Sequence, residues 1–172
     1  VNSNTSTTTV DELLNVTVTW QDSAPITVAS GNVNRVLTFL VTNTGNGSEN
    51  FNLSRLDNLA SDDFDPTAST PNSIFIDTNN DGDYDVGIDL PVSQSGVLAA
   101  DGTARIFVLS DISGVHADGD TADSQLTAAA VTGTGAAGTV FAGAGDGGTI
   151  AAVVGATGAD GTAIGTYIIS GV

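Results

Sequence analysis

The chain has 172 residues with 20 acidic and only three basic side chains, a formal net charge of −17, and no cysteine. This balance disfavours nucleic acids and anionic membranes as partners, because contacts with phosphate groups require lysine and arginine. The missing cysteine excludes disulfides and thiol chemistry. A hydrophobic fraction of 40% argues against a disordered chain, and the length allows one domain with a core of its own.

The chain opens with a polar segment, Val1 to Thr9, that is rich in serine, threonine and asparagine. We expect residues 1–13 to form an extended N-terminal segment and residues 14–172 to form one β-sandwich domain. Methionine is absent even at position 1, which a removed signal peptide or a chain shortened at its start would explain. No run of about 18 apolar residues occurs, so we expect no membrane span. The expected location is secreted, extracellular or on the cell surface.

Alternation of apolar and polar residues predicts half-buried strands along most of the chain. The predicted strands lie, in chain order, at Leu14–Trp20, Ala24–Val28, Val36–Val41, Phe51–Leu53, Ser73–Ile76, Arg105–Leu109 and Ser124–Val131. Segments rich in glycine and asparagine separate these strands. The pattern predicts an all-β protein, an Ig-like or jelly-roll β-sandwich with an extended N-terminal segment.

The composition changes after Val131, where glycine, alanine and threonine dominate. A flexible low-complexity tail is one interpretation. The segments Thr149–Val154 and Ile164–Ile169 are apolar and β-prone, which favours a return of the tail to the fold as strands.

Five aspartates lie within the thirteen positions of residues 77–89, and no basic residue occurs between Arg55 and Arg105 along the chain. Crowded carboxylates repel one another unless a cation binds among them. Acidic or amide side chains at alternate positions, followed by glycine for a sharp turn, are typical of calcium loops. The predicted ligands are Asp77, Asn79, Asp81, Asp83 (through its carbonyl), Asp85 and Asp89.

The loop differs from an EF-hand because Ile88 stands at the twelfth position, where that motif has a glutamate. Asp89 is therefore the predicted closing ligand, and the flanking residues have strand character. We expect an EF-hand-like loop on a β scaffold with Ca²⁺ as its ion; a solvated acidic turn without an ion is the alternative. Mg²⁺ fits less well because it prefers rigid octahedral sites.

A second acidic cluster, formed by Asp118, Asp120 and Asp123, follows His116. It is a candidate second metal site, and a plain turn between strands is the alternative. The sequence contains no catalytic triad context, zinc motif or phosphate-binding loop, so we expect a protein that is not an enzyme.

The sequence contains four N-glycosylation patterns, which make glycans candidate partners if the host modifies this pattern. The acceptor residues are Asn4, Asn15, Asn46 and Asn52.

The run Val36–Phe51, with its Thr-Asn-Thr-Gly-Asn turn, and the segment Ile112–Ala128 resemble bacterial and archaeal cell-surface repeat domains of the DUF11 kind. The resemblance implies a secreted Ig-like β-sandwich that serves as a structural or adhesive module without activity. A chain of this size is also similar to subunits of extracellular pilus-like fibres.

Two functions follow as hypotheses. In the first, the chain is a structural subunit of a calcium-stabilised filament that assembles head-to-tail with copies of itself, each donating an N-terminal strand to the next. The donor residues are Val10, Leu14, Val16 and Val18. Alternatively, Leu14–Trp20 is the first strand of its own domain. In the second hypothesis the chain is a calcium-binding adhesin or S-layer module that binds a surface or a carbohydrate.

Overall fold

A computed structural model of the chain describes residues 10–171, which contain fourteen strands. In chain order the first seven are β1 (Glu12–Leu14), β2 (Val16–Trp20), β3 (Ile26–Val28), β4 (Arg35–Asn43), β5 (Glu49–Leu56), β6 (Thr67–Ala68) and β7 (Ile74–Ile76). The other seven are β8 (Leu90–Pro91), β9 (Gln94–Leu98), β10 (Thr103–Asp111), β11 (Thr121–Ala130), β12 (Val140–Phe141), β13 (Ala152–Val154) and β14 (Asp160–Ile169).

The helical content of residues 10–171 is limited to one short 3₁₀ turn, Asp146–Gly148. The predicted all-β class is therefore confirmed. No helix in this part of the chain is long and apolar enough to cross a bilayer.

Two large sheets and one small sheet organise the strands. The first large sheet has the order β2-β4-β10-β7-β8, with β6 also paired to β10, and the second has the order β3-β14-β11-β5-β9. Neighbouring strands in both are antiparallel, except that β3 runs parallel to β14. The small sheet, β1-β13-β12, joins strands that are distant in the sequence.

The two large sheets enclose one apolar core, and the predicted β-sandwich is confirmed. They approach closely at Gly165 of β14, where a Cβ atom would lie 3.0 Å from Leu37 Cδ1 and from Phe39 Cζ. A larger residue at this position would push the sheets apart. The largest fully buried core side chains from both sheets are Leu37, Phe39, Ile106, Phe51, Leu126, Tyr167 and Ile169.

Strand β10 is buried on both of its faces. Ile106 and Val108 belong to the core, whereas Phe107 lies on the opposite face, as strand alternation requires, and is still 0% exposed. Tyr84 contacts Phe75 and Phe107 edge-on, with ring centroids 5.1 and 5.8 Å apart. The segment between β7 and β8 therefore covers the outer face of the first sheet.

The first two strands belong to the chain's own domain in this structure. Strand β1 pairs with β13, and β2 pairs with β4 at an edge of the first sheet. Leu14, Val16 and Val18 are 1%, 1% and 8% exposed and fill the core, whereas Val10 is 67% exposed. Leu14–Trp20 thus lies within the fold of its own chain in this structure. Strand β1 begins at Glu12, inside the expected N-terminal segment of residues 1–13.

The Gly/Ala-rich region also returns to the fold as strands, as predicted. Strand β13 joins the small sheet, and the ten-residue β14 lies between β3 and β11 in the second sheet. Tyr167 and Ile169 of β14 are buried in the core. The last described strand is therefore essential to the sandwich.

The placement of β1 gives a stability prediction. Replacing Leu14 by alanine removes a side chain that is 1% exposed, and we expect a loss of about 2–5 kcal/mol in the free energy of unfolding. Leu13 is its neighbour on the same strand and is 39% exposed, so Leu13→Ala is the matched control with a much smaller expected effect. Urea unfolding of both variants provides the measurement, and equal losses would contradict the described burial of β1.

Candidate metal site

The aspartate loop, residues 77–89, connects β7 to β8 at the edge of the first sheet. Its start is fixed to the sheet, because the backbone N–H of Asp77 donates to the carbonyl oxygen of Arg105 at 3.1 Å. Its middle is fixed by the ring contacts of Tyr84. Burial, together with the nearby Asp89 carboxylate, raises the pKa of the Tyr84 phenol. The loop is thus packed onto the sheet at both points.

The Asp77 carboxylate organises the first half of the loop from within. Its side chain is 0% exposed. Oδ1 accepts a hydrogen bond from the backbone N–H of Asn80 at 2.7 Å, and Oδ2 accepts one from Gly82 at 3.1 Å. These amides replace the water that the carboxylate loses on burial.

Arg105 places a positive charge at this loop, which the spacing of residues along the sequence did not predict. Its Nη1 donates to Oδ2 of Asp77 at 2.9 Å. Residue Gly82 permits this approach, because its φ is +96° and a Cβ atom there would lie 3.3 Å from Arg105 Nη1. Arg105 is distant in sequence, and only the pairing of β7 with β10 brings it to the loop. One of the five aspartates is therefore neutralised by the protein itself.

The Asp89 carboxylate joins the two ends of the loop. It is 4% exposed; Oδ1 accepts from the backbone N–H of Thr78 at 2.9 Å, and Oδ2 accepts from that of Asp85 at 2.7 Å. The predicted closing residue therefore closes the loop through backbone hydrogen bonds.

Three other predicted ligands come together at the outer side of the loop. The Nδ2 atom of Asn79 lies 2.8 Å from Oδ2 of Asp81 and 3.2 Å from Oδ2 of Asp85. Oδ1 of Asp81 accepts a hydrogen bond from the backbone N–H of Asp83, and this bond holds the pKa of Asp81 below its usual value. The Asp83 side chain is exposed. The structure thus separates an inner pair of carboxylates from an outer group.

The donor chemistry of the outer group fits Ca²⁺, which binds carboxylate and amide oxygens. In this arrangement the Asn79 amide nitrogen lies between the two carboxylates, and rotation of the amide would replace Nδ2 by Oδ1. Within residues 10–171, no three His, Cys, Asp or Glu side chains already form a group of metal ligands. An ion at the outer side of the loop would be held by Asn79, Asp81 and Asp85. The inner carboxylates, Asp77 and Asp89, would fix the backbone beneath it.

The second predicted cluster is not brought together. Asp123, on β11, is 8% exposed and accepts hydrogen bonds from the hydroxyls of Ser61 and Thr166, both at 2.7 Å. Asp120 accepts from the backbone N–H of Ala117 at 2.8 Å within an exposed turn, where Asp118 is also located. These contacts describe a turn followed by a strand.

The four glycosylation acceptors have different environments. Asn15 is 8% exposed and packs against Gly155, where a Cβ atom would lie 2.2 Å from its Oδ1, so a glycan has no room there. Asn46 and Asn52 are exposed, although Asn46 Nδ2 donates to the carbonyl oxygen of Asp11 at 3.2 Å. Asn4 lies outside the described residues.

No known protein family matches this chain, and no curated protein matches it. Among solved structures, the chain is similar to the ASH/PapD-like domain of human CEP192 (PapD-like domain 7), with a TM-score of 0.33 and 9% sequence identity. That similarity covers 99% of this chain and 97% of the other. A likeness at this TM-score carries no argument about function.

The role of Asp89 can be tested without metal. In the presence of a chelator, we expect Asp89→Ala to destabilise the protein by about 1–3 kcal/mol, because two backbone N–H groups lose their acceptor. Asp83→Ala removes an exposed carboxylate from the same loop and is the control, with an expected change within about 0.5 kcal/mol. Chemical denaturation gives both values; a neutral Asp89→Ala would refute the inner hydrogen-bond pattern.

Proposed function

We propose that the chain is a non-catalytic, extracellular structural module whose β-sandwich is stabilised by Ca²⁺ in the aspartate loop. The observation that carries this proposal is the convergence of Asn79, Asp81 and Asp85 on the outer side of a loop that covers the buried Phe107. An ion at this position stabilises the loop, and the loop shields the outer face of β10 from water. Calcium is abundant outside cells, where such a module would function.

The environment of the single histidine supports a non-catalytic role. The His116 ring stacks on Phe64, with centroids 3.6 Å apart, and its Nε2 lies 2.7 Å from the carbonyl oxygen of Ser113. A ring nitrogen this close to a carbonyl oxygen carries a proton, so Nε2 donates to Ser113 in this arrangement. The most versatile acid–base side chain is thus used in packing.

The calcium dependence of stability tests this proposal. With free Ca²⁺ at a hundredfold excess over its dissociation constant, linkage contributes about 2.7 kcal/mol, and chelation should lower Tm by about 5–10 °C. The variant Asp81→Asn with Asp85→Asn should lose most of this shift, because both outer carboxylates become neutral. Differential scanning calorimetry with and without EGTA measures the effect.

A matched control for that pair is Asp101→Asn, which removes an exposed carboxylate outside the loop. Asp101 has φ of +61°, a conformation that asparagine also adopts readily. This control should keep the full calcium shift. If the chelator leaves the Tm of the wild type unchanged, the proposed stabilisation by calcium is wrong.

The filament hypothesis is the second candidate, and the edge position of β2 favours it. Among residues 10–171, β2 forms a ladder with β4 alone, and the backbone N–H of Val16 also donates to the carbonyl oxygen of Gly158 at 3.0 Å. The connection to β3, residues 21–25, is largely exposed. If β1 and β2 of one copy entered the next copy, they would make the contacts described here, and head-to-tail exchange generates a filament.

An engineered disulfide separates exchanged from unexchanged strands. Thr17 of β2 lies opposite Thr42 of β4, and antiparallel neighbours of this kind lie within disulfide range. In a chain without other cysteines, Thr17→Cys with Thr42→Cys should give cross-linked monomers if β2 stays in its own domain. Strand donation instead predicts a ladder of covalent oligomers on a non-reducing gel.

The control pair is Ser54→Cys with Thr127→Cys, which links β5 to β11 inside the second sheet. It should cross-link within one chain under both hypotheses. If the β2–β4 pair yields only monomers at all protein concentrations and in assembled material, donation of β2 is wrong.

A further inference from the structure

A cavity of about 400 Å³ opens on the outer face of the first sheet, beside the aspartate loop. Three parts of the chain form its wall: the β2–β3 connection with the first residue of β3, the start of β4, and residues 82–84 of the loop. Thr38 of β4 lies between the core residues Leu37 and Phe39 and therefore faces this outer side. The volume falls within the range of small-ligand sites. We refer to this space as the Arg35 cavity.

Arg35 lines the cavity and forms no ion pair with an acidic side chain of residues 10–171. Its Nη2 lies 3.5 Å from the carbonyl oxygen of Thr27, which is longer than a usual N–H···O hydrogen bond. Its Nε is buried and has no acceptor among the residues that the structure describes. A guanidinium group has five N–H donors, so this side chain retains donors for an acceptor in the cavity.

The same cavity is lined by two carboxylates, so its charge is mixed. Oδ2 of Asp22 accepts hydrogen bonds from Trp20 Nε1 at 2.6 Å and from the backbone N–H of Thr38 at 2.9 Å. These two bonds fix the carboxylate and leave Oδ1 as an acceptor. Asp83, in the aspartate loop, is exposed. The cavity thus offers strong acceptors as well as the donors of the arginine.

Two uncharged polar side chains also line the cavity. Asn34 is exposed and has φ of +52°, and its backbone N–H donates to Oδ1 of Asp111 at 2.8 Å. Its amide can donate and accept. The ring of Tyr84 is fixed by its contacts with Phe75 and Phe107. Burial raises the pKa of the Tyr84 phenol, so the hydroxyl stays protonated at neutral pH and can donate.

We infer that the Arg35 cavity binds a neutral saccharide. A sugar hydroxyl both donates and accepts, so neighbouring hydroxyls can donate to Asp22 and Asp83 and accept from Arg35. An anion would be repelled by the two carboxylates and by the net charge of −17, and a simple cation would be repelled by the arginine. A neutral ligand with many hydroxyls avoids both costs. The apolar side chains of Ile26 and Val36, also in the wall, can contact the C–H groups of the ring.

The inference goes beyond the proposed calcium-stabilised module and supplies a candidate site for the carbohydrate of the adhesin hypothesis. It does not require a bound ion. The hydrogen bond between Arg105 and Asp77 and the ring contacts of Tyr84 fix the loop side of the wall without one.

Saccharide titrations of the full chain, followed by heteronuclear NMR spectroscopy of isotope-labelled protein, test the inference. The probes are glucose, galactose, mannose and N-acetylglucosamine, each with CaCl₂ and with EGTA, so that a failure of the calcium proposal does not decide this result. We expect at least one sugar to shift the amide signals of Arg35, Thr38 and Tyr84 saturably, with a Kd of millimolar order for so small a ligand. If no sugar gives a saturable shift in either buffer, the inference is wrong.

Variants locate the site. Arg35→Gln should weaken sugar binding about tenfold or more, because hydrogen bonds from a charged donor are lost. Asn34→Gly removes the amide, suits the positive φ and should also weaken binding. Its matched control is Asn80→Gly, at an asparagine with φ of +58° that does not line the cavity, and this variant should keep the affinity of the wild type. If Arg35→Gln does not fold by circular dichroism, Asn34→Gly with Tyr84→Phe serves instead.

Two other results would overturn the inference. Sugar binding that is unchanged in Arg35→Gln, or in the double variant that replaces it, would place the ligand elsewhere on the chain. Acetate and glycine are the charged comparison probes. If either of them binds at the same signals while no sugar does, the cavity takes a charged ligand instead of a neutral saccharide.

Discussion

A shortage of positive charge is the constraint on which the rest of this structure depends. Twenty acidic side chains share three arginines, so ion pairs can compensate only a few of them. The fold uses other donors: backbone N–H groups bind Asp77 and Asp89, and hydroxyls bind Asp123. The arginines are reserved for partly buried positions, where Arg55 also donates to the carbonyl oxygen of Leu109 and to Ser110 Oγ. Carboxylates thus accept a large share of the side-chain hydrogen bonds within residues 10–171.

This constraint is the reason to propose an ion at the aspartate loop. Its inner carboxylates are satisfied by backbone N–H groups and by Arg105, whereas Asp81 and Asp85 share the Asn79 amide on the outer side. The loop also covers Phe107 through the ring contact of Tyr84. Calcium on the outer side would replace repulsion between the two outer carboxylates by attraction to the ion. The protein would then be most stable in the calcium-rich medium outside cells.

The local alternation of apolar and polar residues was enough to predict most of the strands, because a strand with one buried face shows this alternation. The strands β6, β8 and β12 were not predicted, since two residues carry no period, and neither β1 nor the five-residue β9 was predicted. The position of the aspartate loop was readable from its spacing. Its partner Arg105 was not, because that ion pair depends on the pairing of β7 with β10, which are distant in sequence. The sequence did not decide whether Leu14–Trp20 pairs within its own domain or is donated to a neighbouring copy, since its alternation of apolar and polar residues suits both positions.

The central claim is that Ca²⁺ binds the outer side of the aspartate loop. A crystal structure of the chain grown with excess calcium tests it most directly. The account predicts a spherical density peak with oxygens of Asn79, Asp81 and Asp85 at about 2.3–2.6 Å. Retention of the Asn79 amide hydrogen bonds, with nothing but water nearby, would contradict it.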